Sequence, residues 1–255
     1  LFGPTETAAP QVAFWPDKKG FTPRTLKSLI AAQNPVIDSP ERFAEVSIAA
    51  KGLLALEQLL YAPAFNGYAP GSYTCHLVQA VAGDLARTAA GLERDWRADF
   101  APTLASAGAA DNAVFFDQDE ALRALYTQLL HALEFTADAR IGRPMGSFDK
   151  PRPARAEAHL SRRSLPNVLA ASASAVALAD ALADWPLPRT HAALEALRAA
   201  AAKLDDPSFA DAGDLSVRFK LEVLQQKVKA LEAALEEEVG LALGIAPGFN
   251  ASDGD

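Results

Sequence analysis

The residue that first suggests chemistry is Glu57, set in Lys51-Gly-Leu-Leu-Ala-Leu-Glu57-Gln-Leu-Leu among almost wholly apolar neighbours. A carboxylate in such surroundings is either paired or functional, because burying an isolated charge is costly. Its other reading is a place on the wet side of an amphipathic helix, since Lys51 and Gln58 also need exposure. A second pair is His131 and Glu134 in His-Ala-Leu-Glu-Phe. Three apart on a helix, they share one face, the spacing by which bundle proteins offer two ligands to a metal. The plainer alternative is a His and a Glu at the rim of a bundle. A third group is the arginine-rich run Arg143, Arg152, Arg155, Arg162 and Arg163, with Asp149 and Glu157 between. It suits an anionic ligand or a carboxylate from another helix, or else a surface loop tied down by ion pairs. Cys75 and His76 are sequence neighbours and point about 100° apart on a helix, which excludes a nucleophile–base pair. Cys75 is expected in the core.

The elements that must position these groups read as helices. Thr22-Pro23 predicts an N-cap and first helical residue, with an end near Asn34-Pro35. Ser39-Pro40-Glu41 opens the next helix, whose Val46, Ala49, Leu53, Leu56 and Leu60 form one apolar stripe. After the turn cluster at 64–73, Ser72 starts a long helix to about Asp99. The small-residue stretch Thr-Leu-Ala-Ser-Ala-Gly-Ala-Ala-Asp-Asn at 103–112 is the expected domain boundary, giving halves 1–108 and 109–255. Helices follow at about 117–141, Ser164 to Asp184 and Thr190 to Leu204. The last carries Leu221, Leu224, Val228, Leu231 and Leu235 at steps of three and four, with Glu and Lys on its outer face. No window alternates as a strand does, so the expected fold is all-α, built of two packed helical-bundle halves.

Composition narrows the function. The chain has 255 residues, half of them apolar, and a formal net charge of −8. An acidic chain without a basic stripe is ill suited to phosphate backbones, so no nucleic-acid partner is expected. One cysteine excludes an internal disulfide and a cysteine-based zinc site. No P-loop, dinucleotide fingerprint, GxSxG or HExxH occurs. No stretch reaches the length of uncharged apolar sequence expected of a membrane span. The chain begins at Leu1 without a signal sequence, so an upstream segment is expected.

Several segments together resemble the imelysin family, also called the peptidase M75 family. They are Phe-Gly-Pro-Thr-Glu at 2–6, Phe14-Trp-Pro-Asp17, Lys-Gly-Leu-Leu-Ala-Leu-Glu-Gln-Leu-Leu-Tyr at 51–61, Ile-Gly-Arg-Pro at 141–144 and the terminal Gly-Phe-Asn-Ala-Ser-Asp-Gly-Asp at 248–255. The resemblance spans essentially the whole chain. It implies two helical halves, each akin to a four-helix bundle, with a site in the cleft between them. It also implies a bacterial periplasmic or envelope location, with a lipid anchor upstream of this chain. The family's GxHxxE motif, whose His and Glu are proposed metal ligands, falls here on Gly52, Leu54 and Glu57. Leucine has no lone pair, so half of that ligand set is gone.

Two readings with different chemistry follow. In the first, a non-catalytic envelope protein binds a ligand, linked to iron or haem uptake, with Glu57, Asp17, Arg143 and Gly52 at the site. In the second, a metal-dependent peptidase uses an altered ligand set around Glu57, His131 and Glu134. A helical scaffold for another envelope protein is a third. A metal ion is the only cofactor these readings bring in, and the partner is a small ligand or an envelope protein.

Overall fold

A computed structural model describes residues 8–245. All regular elements among them are helical, and the single β-type contact is an isolated antiparallel bridge between Ser147 and Lys150. The all-α expectation holds. Backbone contacts divide the chain into two compact units, Leu1–Pro102 and Thr103–Asp255.

Unit 1 is organised on α5. Its elements are α1 (Ala8–Val12), α2 (Phe21–Ala32), α3 (Pro40–Ala44), α4 (Gly52–Tyr61) and α5 (Tyr73–Asp95). The last runs on through a π-helical turn, Trp96–Phe100, into α6 (Ala101–Ala105), within which the division falls. α1, α3 and α4 pack on α5, and α2 packs on α4. As expected, Ser72 caps α5, its hydroxyl accepting from the Cys75 N–H at 3.3 Å. The inward face of α5 is Leu77, Val81 and Asp84. Cys75 is half-buried rather than a core residue.

Two expectations in unit 1 need correction. Ser39-Pro40 does start a helix, but α3 stops at Ala44, and a 3₁₀ turn, Ile48–Ala50, separates it from α4. The cause is Gly52, held at φ +71°. A Cβ there would sit inside the carbonyl oxygens of Gln11 and Val12, which close against it. Only glycine allows both the left-handed backbone and that approach. The supposed single stripe is therefore broken: Leu53 and Leu60 are exposed, while Ala55, Glu57 and Leu59 are buried. At α2 the cap is not Thr22. The helix begins at Phe21, Gly20 stands at the cap position with φ +65°, and the capping carboxylate comes from Asp17.

Unit 2 is a four-helix bundle. α7 (Gln118–Phe135) is followed by the short α8 (Arg143–Met145), then α9 (Ser164–Leu182), α10 (Pro188–Ala201) and α11 (Leu215–Leu235), with α12 (Leu241–Leu243) at the end of the described chain. α7 packs on α9, α9 on α10, α10 on α11, and α11 back on α7. The predicted stripe of α11 forms the centre: Leu221, Leu224, Val228, Leu231 and Leu235 are fully buried. Tyr126, Leu129 and Leu133 of α7 and Val168 and Val176 of α9 meet it in one core. α9 is, after all, long and apolar enough to cross a membrane by length and composition. Here it serves as an inner helix, burying Leu165, Val168, Ser172, Ala175, Val176 and Ala179.

Two caps fix the bundle ends. Asp117 accepts from the Glu120 N–H at 2.8 Å while Glu120 accepts from the Phe116 N–H at 2.7 Å, a reciprocal capping box on α7. α10 starts at Pro188 rather than Thr190, and its exposed donors are taken from a distance. The Glu238 carboxylate accepts from the Arg189 and Thr190 N–H groups at 2.9 and 2.8 Å. α7 and α11 each end in a π-helical turn, Thr136–Gly142 and Glu236–Gly240. The Ala137 carbonyl in the first turn is satisfied by the Gln225 side chain at 2.9 Å. Gly240 in the second makes room for the Tyr126 hydroxyl, which any side chain there would strike.

Replacing Gly52 by Ala is expected to cost about 2–3 kcal/mol, combining φ strain with a clash against rigid backbone. Urea unfolding followed by circular dichroism measures it, with Gly67→Ala, which has open space around it, as the control.

Candidate functional site

The Lys51–Glu57 segment lies at the start of α4 and is strongly committed to packing. Lys51 is only 4% exposed, and Asp84, facing it from α5, only 5%. The ammonium lies 3.8 Å from an Asp84 oxygen and donates to the Ala44 carbonyl. The other Asp84 oxygen accepts from Arg87 at 3.4 Å. α3, α4 and α5 are thus joined through one buried cation. Glu57 is buried as well, which settles its position in favour of the inside rather than the wet face. Leu54, one turn earlier, is half-buried.

Asp17 is in the same unit and faces backbone. Its oxygens accept from the Phe21 N–H at 2.9 Å and the Thr22 N–H at 2.8 Å. Desolvation pushes its pKa up, but the N–H groups of Thr22, Phe21 and Lys19 outweigh it, and the net shift is below the usual carboxylate value. The observed chemistry of Asp17 is that of a helix cap holding the turn after Phe14-Trp-Pro.

Arg143 belongs to unit 2. It is half-buried at the start of α8, directly after the π-helical turn. The loop beyond it is tied down from several sides. Arg218 of α11 donates to the Met145 carbonyl at 2.7 Å and to that of Ser147 at 3.3 Å. Arg140 donates to Glu157 at 2.7 Å and to the Thr136 hydroxyl at 2.9 Å. Asn167 adds a second donor to the same Glu157 oxygen at 3.3 Å, and Arg162 pairs with Asp206 at 3.2 Å. Of the two readings of this loop, ion-pair anchoring accounts for Glu157 and Arg162.

His131 and Glu134 lie together on α7, Nδ1 to Oε2 3.7 Å, both partly exposed. Glu134 lies near Glu232 of α11, one of the acids expected on that helix's outer face. Glu232 of α11 is in fact half-buried. Burial, then the charges of Glu236, Glu134 and Asp138, push its pKa up to about 7, against a smaller opposing effect of Lys229. Lys229 itself pairs with Asp138 at 3.1 Å. Tyr126 beneath them is pushed up to about 12 by burial and by Glu236 and Glu232. The residues that sequence reasoning missed are therefore Lys51, Asp84 and Glu232. The signal for Asp84 was present: a charge one turn after Val81, on the face that Leu77 and Val81 bury. Glu232 carried none, because Lys-Ala-Leu-Glu-Ala-Ala-Leu reads as an ordinary wet helix.

The fold and these sites define a helical protein of two units, one a four-helix bundle, with the Gly52–Glu57 segment at the start of α4. The sequence profile of the imelysin family, described as Peptidase_M75, matches residues 1–235, and the chain belongs to that family. The structure is similar to the crystal structure of an imelysin-like protein from Psychrobacter arcticum 273-4, with a TM-score of 0.77 and 20% identity. The likeness covers 97% of this chain and 76% of that one. No curated protein matches.

The metal that the family motif implies finds no fitting donor set here. Leu54 has no donor atom, Asp84 is engaged by Lys51 and Arg87, and Glu57 is the one motif side chain able to ligate. Among the described residues no group of three His, Cys, Asp or Glu side chains is arranged to hold a metal ion, whereas zinc sites use three or four protein ligands. Of the motifs that suggested the family, Phe-Gly-Pro-Thr-Glu at 2–6 and the terminal segment at 248–255 lie outside the described residues.

Two outcomes are expected. Lys51→Met leaves the buried Asp84 carboxylate short of its main counter-charge and costs about 3 kcal/mol. Lys51→Met with Asp84→Leu recovers most of that, as read by denaturant midpoints. For Glu232, the folded pKa of about 7 lies above its ordinary value of 4.5. The folded state therefore keeps a proton that the unfolded chain releases, and stability falls as pH rises from about 4.5 to about 7. Glu232→Gln flattens that decline and raises stability at pH 8 by about 1 kcal/mol, a figure reduced for the solvent reaching a half-buried group. Thermal melts at pH 5, 6, 7 and 8 check it.

Proposed function

We propose that this imelysin-family chain is a non-catalytic protein of the bacterial cell envelope that acts by binding, with a role in iron or haem uptake. The observation carrying this reading is the motif segment itself: Gly52 and Glu57 are kept, Leu54 stands at the ligand position, and the neighbouring carboxylate is held by Lys51. A hydrolytic metal centre needs several protein ligands and an open position for water, and this segment supplies one. Binding needs less: an arginine such as Arg143 recognises an anionic group, and a carboxylate such as Glu57 recognises a polar or cationic one. The candidate contacts are Glu57 and Arg143, together with Gly52 and Asp17 as the residues that shape unit 1. The envelope location rests on family membership.

A second reading has one observation in its favour. His131 and Glu134 present His-x-x-Glu one helical turn apart, with nitrogen and oxygen 3.7 Å from each other. A metal-dependent peptidase with an altered ligand set would be built there.

The deciding experiment incubates unfolded casein with the full chain, with added zinc, with iron, and with a chelator. In parallel, haemin is titrated by absorbance. The expected result is no metal-dependent cleavage and saturable haemin binding, weakened about ten-fold or more by Glu57→Gln or Arg143→Ala, a loss of about 1.4 kcal/mol. Cleavage that needs metal and disappears in His131→Ala would establish the peptidase instead.

A further inference from the structure

We infer that the surface formed by Phe148, Leu215 and Phe219, where the loop after α8 folds onto the start of α11, is a docking face for a second copy of this chain and closes a symmetric dimer through unit 2. This face takes no part in the binding reading above. Phe148, Leu215 and Phe219 are 68%, 67% and 67% exposed. Leu215 and Phe219 are four apart on α11 and share one face of it, with Arg218 beside them. The Phe148 ring centre lies 5.8 Å from the Arg218 guanidinium carbon. Pro151, in the same loop, stands 3.2 Å from where a side-chain carbon on Gly213 would sit. Three large apolar side chains are thus gathered around one guanidinium and left in water, and apolar surface of that kind marks an interaction site.

The face is held ready-made. Phe148 and Asp149 form the tip of a turn closed by the Lys150 N–H, which donates to the Ser147 carbonyl at 3.1 Å. Arg218 fastens that turn to α11 by donating to the Met145 and Ser147 carbonyls at 2.7 and 3.3 Å. Little ordering is left for association to impose, so a modest apolar area can hold two molecules together. Charge selects the occupant. Arg218 is matched by Glu222 at 3.0 Å and Lys220 by Asp205 at 3.3 Å. The charges that remain on the two segments are Asp149 and Asp214 against Lys150 and Arg152, two of each sign. An anionic bilayer or an acidic partner would meet the two aspartates as like charges, and a basic partner the lysine and arginine. A face carrying both signs equally is matched by itself, because a two-fold axis can set the acids of one copy across from the bases of the other. Elsewhere the net charge of −8 opposes the approach of two copies.

Sedimentation equilibrium of the full chain from about 1 to about 200 µM spans weak to moderate association and tests the dimer. The wild type is expected to pass from monomer to dimer mass across that range. Phe148→Asp and Phe219→Asp are each expected to weaken dimerisation about ten-fold or more, since a symmetric interface carries every substitution twice. Lys150→Glu, which makes the face acidic on both copies, is expected to weaken it about ten-fold at low salt. The control is Phe116→Asp, expected to change nothing. Phe116 is also exposed but precedes α7, whose Tyr126 meets Gly240 past the other end of α11. A chain that stays monomeric throughout overturns the inference, and sedimentation of that monomer with phosphatidylglycerol vesicles would assign the face to a lipid surface instead. A dimer that any of the three substitutions leaves unaffected overturns it as well, because the copies then meet elsewhere. Circular dichroism establishes folding; a variant that does not fold is set aside and the other two decide.

Discussion

The Lys51 ammonium is withdrawn from water, and three helices are committed to keeping it satisfied. α3 gives the Ala44 carbonyl, α4 begins immediately after the lysine, and α5 supplies Asp84 from its inward face. A charge placed there imposes register, because sliding α4 by one residue along α5 would leave both partners buried and unpaired at a cost of several kcal/mol. The break between α3 and α4 serves the same requirement. A continuous helix from Ser39 would have directed residue 51 by helical periodicity, whereas the 3₁₀ turn and Gly52 let the lysine point inward and α4 restart behind it.

Unit 2 solves a similar problem with larger apolar resources. Its core is one continuous cluster, and its least exposed ion pair, Arg140 with Glu157, lies in the connection between α7 and α9. Arg140 leaves the π-helical turn to reach Glu157, and Arg218 caps the carbonyls around Met145. The π-helical turns are the means. Each inserts an extra residue into the helix and frees a carbonyl, which at Ala137 is taken by Gln225. The arginine-rich stretch after Arg143 is anchored at Glu157 and at Arg162 by these contacts.

How far this was legible in sequence depended on whether periodicity or tertiary contact decided the outcome. α11 could be read residue by residue because its five buried positions recur at three and four and nothing opposes them. The Ser72 and Ser39 starts were legible because capping is local chemistry. The α3–α4 break was not, since its cause is the carbonyl of a residue some forty positions earlier in the chain. Thr22 was mistaken for a cap because Thr-Pro is a sound local signal, while the actual acceptor, Asp17, reaches over a turn that the local pattern does not describe. The apolar run marks Glu57 as an acid that is either buried or on the wet face, and it marks Lys51 as solvent-facing, although both are buried. Lysine carries a long stem that ordinarily reaches water, and only the position of Asp84 reverses that.

The segment from Lys51 to Glu57 shows why a motif must be divided into its causes before it is used. Gly52 answers to the backbone of Gln11 and Val12 and Lys51 to Asp84, Glu57 is buried in unit 1, and Leu54 brings no donor atom. Each requirement can be kept or lost independently. A chain that keeps the first three still looks like the motif in sequence, yet it carries no imidazole at position 54. In α7, by contrast, the partly exposed His131 and Glu134 have the spacing beside other acids, Asp138 and Glu232. Residue spacing along a helix fixes which side chains share a face, but the helix's neighbours determine whether that face can hold an ion.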